Sequence, residues 1–205
     1  MKRPLLALTV ITAIVLIGLI GFNEMKITGA QAAQTQSGLV NVTIAGATNI
    51  RLLVNSTNFG SGYVNASHDS AEIESRVPTK INWINDTGPF NPQSMELENN
   101  GTQVANVTIK ADSSPAEFIG GGTGAIPDPA QYFKGTENET GACLSGVTST
   151  YTDLQNDTEI ILCEQFNYQS STNALDIDFN LTIPVDTPAG EKTNLITFTA
   201  TAYSP

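Results

Sequence analysis

Two stretches alternate apolar and polar side chains so regularly that they read as half-buried strands. In the last third, Leu175, Ile177, Phe179, Leu181 and Ile183 interleave with Asp176, Asp178, Asn180 and Thr182. In the middle, Met95 and Leu97 interleave with Glu96 and Glu98, and Ala105, Val107, Ile109 and Ala111 with Asn106, Thr108 and Lys110. A period of two puts each apolar set on one face of a sheet. Asn99-Asn100-Gly101 joins the middle pair and predicts a hairpin turn, because Asn and Gly tolerate positive φ. The later strand continues through Pro184 to Gly190 into residues 195–202, where Ile196, Phe198 and Ala200 alternate with Thr197, Thr199 and Thr201, a second predicted hairpin.

Weaker strand patterns cover residues 39–44, 49–54, 63–65, 71–77, 81–84 and 159–166. Ile81 and Trp83 are expected to share a buried face, with Trp83, the only tryptophan, in the core. Residues 112–158 are irregular and read as a long excursion, with a flexible loop at Gly120-Gly121-Gly122-Thr123-Gly124. Helix signals are scarce, so the expected fold is all-β, an antiparallel β-sandwich of Ig-like or jelly-roll type.

Residues 5–22 break this pattern: eighteen residues without a charge, preceded by Lys2 and Arg3. The length suits a membrane-spanning helix of about 17–25 residues, and the basic start orients the N-terminus to the cytoplasm. A signal peptide cut after Ala30-Gln31-Ala32 fits equally. Either way residues 1–32 are a leader or anchor helix with its spacer, and residues 33–205 form one domain outside the membrane, at the cell surface.

Past the leader the nine basic residues lose Lys2, Arg3 and Lys26 and the twenty acids lose Glu24, leaving six against nineteen. So acidic a domain repels phosphate backbones, which argues against nucleic-acid binding. Cys143 and Cys163 are the only cysteines, and in an exported chain they are expected to form one disulfide. Nine asparagines sit in Asn-x-Ser/Thr sites: Asn41, Asn55, Asn65, Asn85, Asn100, Asn106, Asn138, Asn156 and Asn180. Chance would place roughly three or four among this chain's asparagines, so N-glycosylation is expected, as on an archaeal or eukaryotic surface protein.

Catalytic chemistry is poorly represented, and neither an enzyme nor a cofactor is expected. Gly120-x-Gly122-x-x-Ala125 fits the dinucleotide fingerprint formally, but Pro127 and Pro129 follow where a helix must open. Asp176 and Asp178 lie about 7 Å apart on one strand face and read as residues that keep that face wet. Asp153, Asp157 and Glu159 match no calcium-loop signature. The single histidine, His68, reads as solvated and leaves little scope for a catalytic triad.

Two segments carry a resemblance. IPVDTPAGEKTNLITFTATA is similar to the last hairpin of exported Ig-like or jelly-roll modules of microbial, archaeal-type surfaces, and MELENNGTQVANVTIKA resembles their strand–Asn-Gly–strand unit, including that of the TasA/camelysin-like fibre proteins. Together they span about a fifth of the chain. The resemblance implies a surface structural protein and transfers no catalytic residue. Self-association or other surface proteins are the partners expected, with residues 33–44 as a strand donated to a neighbour. An adhesin or carbohydrate-binding module is the alternative, with Tyr63, Tyr132, Phe133 and Tyr151 as aromatics on loops. A pilin-like filament subunit also has a hydrophobic N-terminal helix, but here Arg3 is followed by Pro4 rather than Gly or Ala.

Overall fold

A computed structural model describes residues 46–204 apart from Pro78. The apolar run 5–22, the expected strand 39–44 and Asn41 lie outside the described residues. The described chain is antiparallel β throughout, in the order β1 (Ile50–Val54), β2 (Gly62–Val64), β3 (Ser70–Glu74), β4 (Lys80–Ile81), β5 (Trp83–Asn85), β6 (Met95–Asn99), β7 (Ala105–Ala111), β8 (Ala130–Glu137), β9 (Thr152–Asp153), β10 (Ile160–Phe166), β11 (Ala174–Pro184) and β12 (Ile196–Ala202). One helical turn, α1 (Pro115–Phe118), interrupts them; Ser114 caps it and Glu117 closes the capping box.

β11 is the axis. Along one edge it pairs with all of β8; along the other it pairs first with β6 (Ala174–Ile177) and then with β3 (Asn180–Pro184). β1 extends β6, β4 extends β3 and β9 extends β8, which makes a seven-stranded sheet. A second sheet runs β10-β7-β12, and β2 pairs with β5 in a small ribbon. Leu97, Phe133, Leu175, Ile177 and Phe179 of the large sheet share one buried cluster with Val107, Ile109, Leu162, Cys163 and Phe166 of the second. In β6, β7, β11 and β12 the apolar phase read from the alternation is the phase found inside.

Pairing departs from expectation. β6 and β7 are not a hairpin: β6 pairs with β1 and β11, and β7 with β10 and β12. β11 and β12 likewise belong to different sheets. Both predicted hairpins are crossovers that carry the chain from one sheet to the other. At the first, Gly101 has an ordinary φ and is needed for space: a Cβ there would lie 2.3 Å from the Ala47 carbonyl oxygen. The buried Asn99 side chain donates to the carbonyls of Gln103 and Phe166 and so ties the turn to β10.

The excursion holds a strand the alternation did not reveal. Inward positions of β8 are Gln131, Phe133 and Gly135, only one of them large and apolar. Gly135 is required because a Cβ would meet Leu162 Cδ1 at 2.8 Å. The glycine-rich loop is not free either. Asp186, from the β11–β12 connection, accepts from the backbone N–H groups of Gly122 and Thr123 and from the Thr123 hydroxyl. These bonds hold its carboxyl below the usual aspartate range.

Trp83 is half-buried beside a small cluster of Ile73, Ile119 and Leu181 rather than in the main core, and Ile81 is exposed. Asn82 between them takes φ 57°, which ends β4 and breaks the alternation.

Candidate functional site

The two sheets expose four long edges, and the chain treats them unequally. On one side a strap formed by residues 142–154 closes the gap. Leu144 N–H donates to Gln165 O (2.8 Å), Thr148 N–H to Leu162 O (3.0 Å), and Asn167 N–H of the segment after β10 to Ala142 O (2.8 Å). The strap then reaches β8, where Gly135 N–H donates to Thr148 O (2.7 Å), Leu154 N–H donates to Gln131 O, and β9 pairs with Tyr132 and Phe133. The Cys143–Cys163 disulfide, with Cα atoms 5.9 Å apart, staples the strap to β10. The expected disulfide is therefore present, and it locks an edge.

On the opposite side, among the described residues, β1 pairs only with β6 and β12 only with β7. Between these edges lies an apolar groove of about 320 Å³ lined by Ile50, Leu52, Leu97, Ile196, Thr197 and Phe198. Ile50, Leu52, Ile196 and Phe198 are inward residues of their strands left partly exposed, because nothing described covers them. Leu53 and Leu195 beside it are exposed as well. Unpaired edges of this kind are templates for another strand. Sequence alone did not show this site, since the lining residues come from opposite ends of the chain.

The outer face of the large sheet carries the main charge cluster. Asp178 is not the wet residue expected; it is fully buried. It sits where β11 changes partner from β6 to β3. Ser94 donates its hydroxyl to Asp178 Oδ1, and Arg76 (3.4 Å) and Thr136 (3.5 Å) reach Oδ2. These donors offset the burial of a carboxylate. A carboxylate so enclosed cannot reach a substrate, which removes the Asp176–Asp178 pair as an acid–base couple.

Burial, and then the charges of Asp178 and Glu96, raise the pKa of Asp176 against the opposing pull of Arg76. A carboxyl raised in the folded state favours folding while protonated, and that advantage disappears as pH climbs through the folded value. Asp176→Asn is accordingly expected to raise Tm at pH 7. The gain should vanish below about pH 4, the ordinary aspartate range, in thermal melts across that interval.

The remaining sequence candidates do not converge. Tyr63 is exposed on β2, but Tyr132 and Phe133 lie within β8 rather than on loops. Phe133 is buried in the core, and Tyr151 is half-buried with its hydroxyl donated to Glu74. Among the described residues no three His, Cys, Asp or Glu side chains group as metal ligands, so Asp153, Asp157 and Glu159 are not brought together. His68 is exposed.

Of the eight described sequon asparagines, Asn55, Asn100 and Asn138 are exposed and Asn65, Asn85, Asn106, Asn156 and Asn180 half-buried. The buried asparagines, Asn99, Asn167 and Asn173, belong to no sequon. No protein-family model matches the chain, and no curated protein or solved structure matches it.

Proposed function

We propose that this chain is an exported, N-glycosylated structural protein of the cell surface. Its β domain, a sandwich of Ig-like or jelly-roll type, packs against copies of itself into a filament or layer. The observation that carries the reading is the one-sided closure: strap and disulfide seal the β8/β10 side, while among the described residues β1 and β12 keep open edges around an apolar groove. A long-lived monomer is expected to blunt such edges. The disulfide suits an oxidising compartment, the uncharged run 5–22 supplies the export route, and the accessible sequon asparagines leave room for glycans. Membrane attachment then runs through the N-terminal segment if it stays uncleaved.

The test is native mass and N-terminal sequencing of protein taken from its own cells, with electron microscopy of the cell surface. The expected result is an assembly many times the 21.7 kDa of the chain, with added carbohydrate mass. A bare monomer recovered from the cytosol overturns the reading.

A further inference from the structure

We propose that β12 is a dimerisation edge: β12 of one chain pairs antiparallel with β12 of a second copy about a twofold axis at Thr199, joining the two three-stranded sheets into one. The inference rests on the self-assembly reading above and names one contact within it.

The edges of the two sheets are protected to different degrees. β4 carries Lys80 and is two residues long, β9 carries Asp153 and is as short, and β1 holds Arg51 in an ion pair with Glu98. β10 has two register shifts against β7 and the strap along its outer side. Short strands, charges, bulges and covering loops are the devices that keep an edge from pairing. Among the described residues β12 has none of them. Its seven residues, Ile-Thr-Phe-Thr-Ala-Thr-Ala, contain no charge and no proline. They follow β7 without a shift, from Ile196 opposite Ala111 to Ala202 opposite Ala105. No sequon lies beyond Asn180, so β12 carries no N-glycan of its own.

Which way the backbone groups point follows from the two ends of the strand. Asp112 N–H donates to Leu195 O (2.9 Å) and Tyr203 N–H to Val104 O (3.0 Å). Odd-numbered residues of β12 therefore bond to β7, and the N–H and C=O groups of Ile196, Phe198, Ala200 and Ala202 point to the open edge. A second strand must bond to those even positions and must keep inward residues on the inward face.

Both conditions hold, with all seven residues overlapped, when Thr199 faces its own copy. Ile196 then lies opposite Ala202 and Phe198 opposite Ala200, large against small on the inward side. Thr197 lies opposite Thr201 on the outer side, a favourable cross-strand pair. One step beyond the strand, Leu195, which is 67% exposed, falls opposite the second copy's Tyr203. Moving the centre to Phe198 or to Ala200 sets like against like and shortens the overlap. The contact is isologous and closes on itself, so it supplies a pair, and a filament or layer needs a further contact.

The test uses full-length chains with one added cysteine each, since Cys143 and Cys163 are bonded to each other. Under mild oxidation Thr199→Cys is expected to give a covalent dimer on a non-reducing gel, because facing Cα atoms of such a pair lie about 4.5 Å apart, within disulfide reach. Thr197→Cys or Thr201→Cys alone should not, since each is displaced from its own copy by about 13 Å along the strand. Mixed together, those two chains should cross-link to one another. Two further variants leave the pairing with β7 in place. Ala200→Pro removes an N–H that serves only the open edge, and Thr199→Lys sets like charges opposite each other on the axis. Each should raise the dissociation constant of the dimer about tenfold or more in sedimentation, and the Thr199→Lys defect should shrink in high salt. Exchange of the Phe198 and Ala200 amides should be slow in wild-type dimers and fast in Thr199→Lys monomers.

Slow exchange of those two amides in monomers would mean that the chain's own residues cover the edge, and it overturns the proposal. Wild-type chains that associate while Thr199→Cys gives no cross-link and Thr199→Lys associates undiminished also overturn it, yet leave the self-assembly reading standing. Wild-type chains that never associate end both.

Discussion

Replacing Cys143 and Cys163 together by alanine is expected to lower stability by about 2–4 kcal/mol. The bridge closes a sequence separation of 20 residues, for which the loop-closure model gives on the order of 3 kcal/mol. Urea melts by linear extrapolation would measure the loss. The effect should also be local. Without the staple, the strap keeps its hydrogen bonds to β10, from the backbone and from the Ser145 and Thr148 hydroxyls. Exchange of the Leu144, Thr148, Glu164 and Asn167 amides, all bonded between strap and β10 or the segment just after it, should therefore accelerate. Amides of β7 paired with β12 should not change. An unaltered melt with unaltered exchange would mean the strap holds the β10 edge unaided.

Phe133→Ala should cost about 3–5 kcal/mol, the usual range for a buried phenylalanine. Its ring is completely buried in the cluster shared by the two sheets, on the strand that pairs with β11 along eight residues. The cavity would open between the sheets, where neither can collapse without moving β11. Tyr63→Ala, at an exposed ring, should stay within about 0.5 kcal/mol. A Phe133→Ala cost below 1 kcal/mol would contradict the placement of β8.

The contrast between these aromatics shows where sequence reading stops. Tyr132 and Phe133 sit in a segment whose inward residues include Gln131 and Gly135, so no apolar alternation marks it as a strand. Gly135 reads as a loop residue until Leu162 is seen packed where its Cβ would be. Asp178 has the opposite history. Its phase along β11 is the polar one, as expected, yet Ser94 just before β6, Arg76 just after β3 and Thr136 of β8 enclose it. Outward from a sheet is not the same as exposed when side chains from neighbouring segments close over that position.

From its residues alone the chain declared an antiparallel all-β character, the inward face of β6, β7, β11 and β12, and a pair of cysteines suited to one bridge. Those properties are local or compositional: a side chain's face follows from its parity along a strand, and parity is written in the sequence. Partnership is not. Alternation is the same whether a strand turns back on its predecessor or crosses to the opposite sheet, so β6–β7 and β11–β12 read as hairpins and proved to be crossovers. Only the assembled fold, by burying Asn99 against β10 and setting β1 opposite β12, decided which edges are sealed and which stay open among the described residues, because hydrogen-bond partners far apart in sequence are chosen by the packing of the whole core.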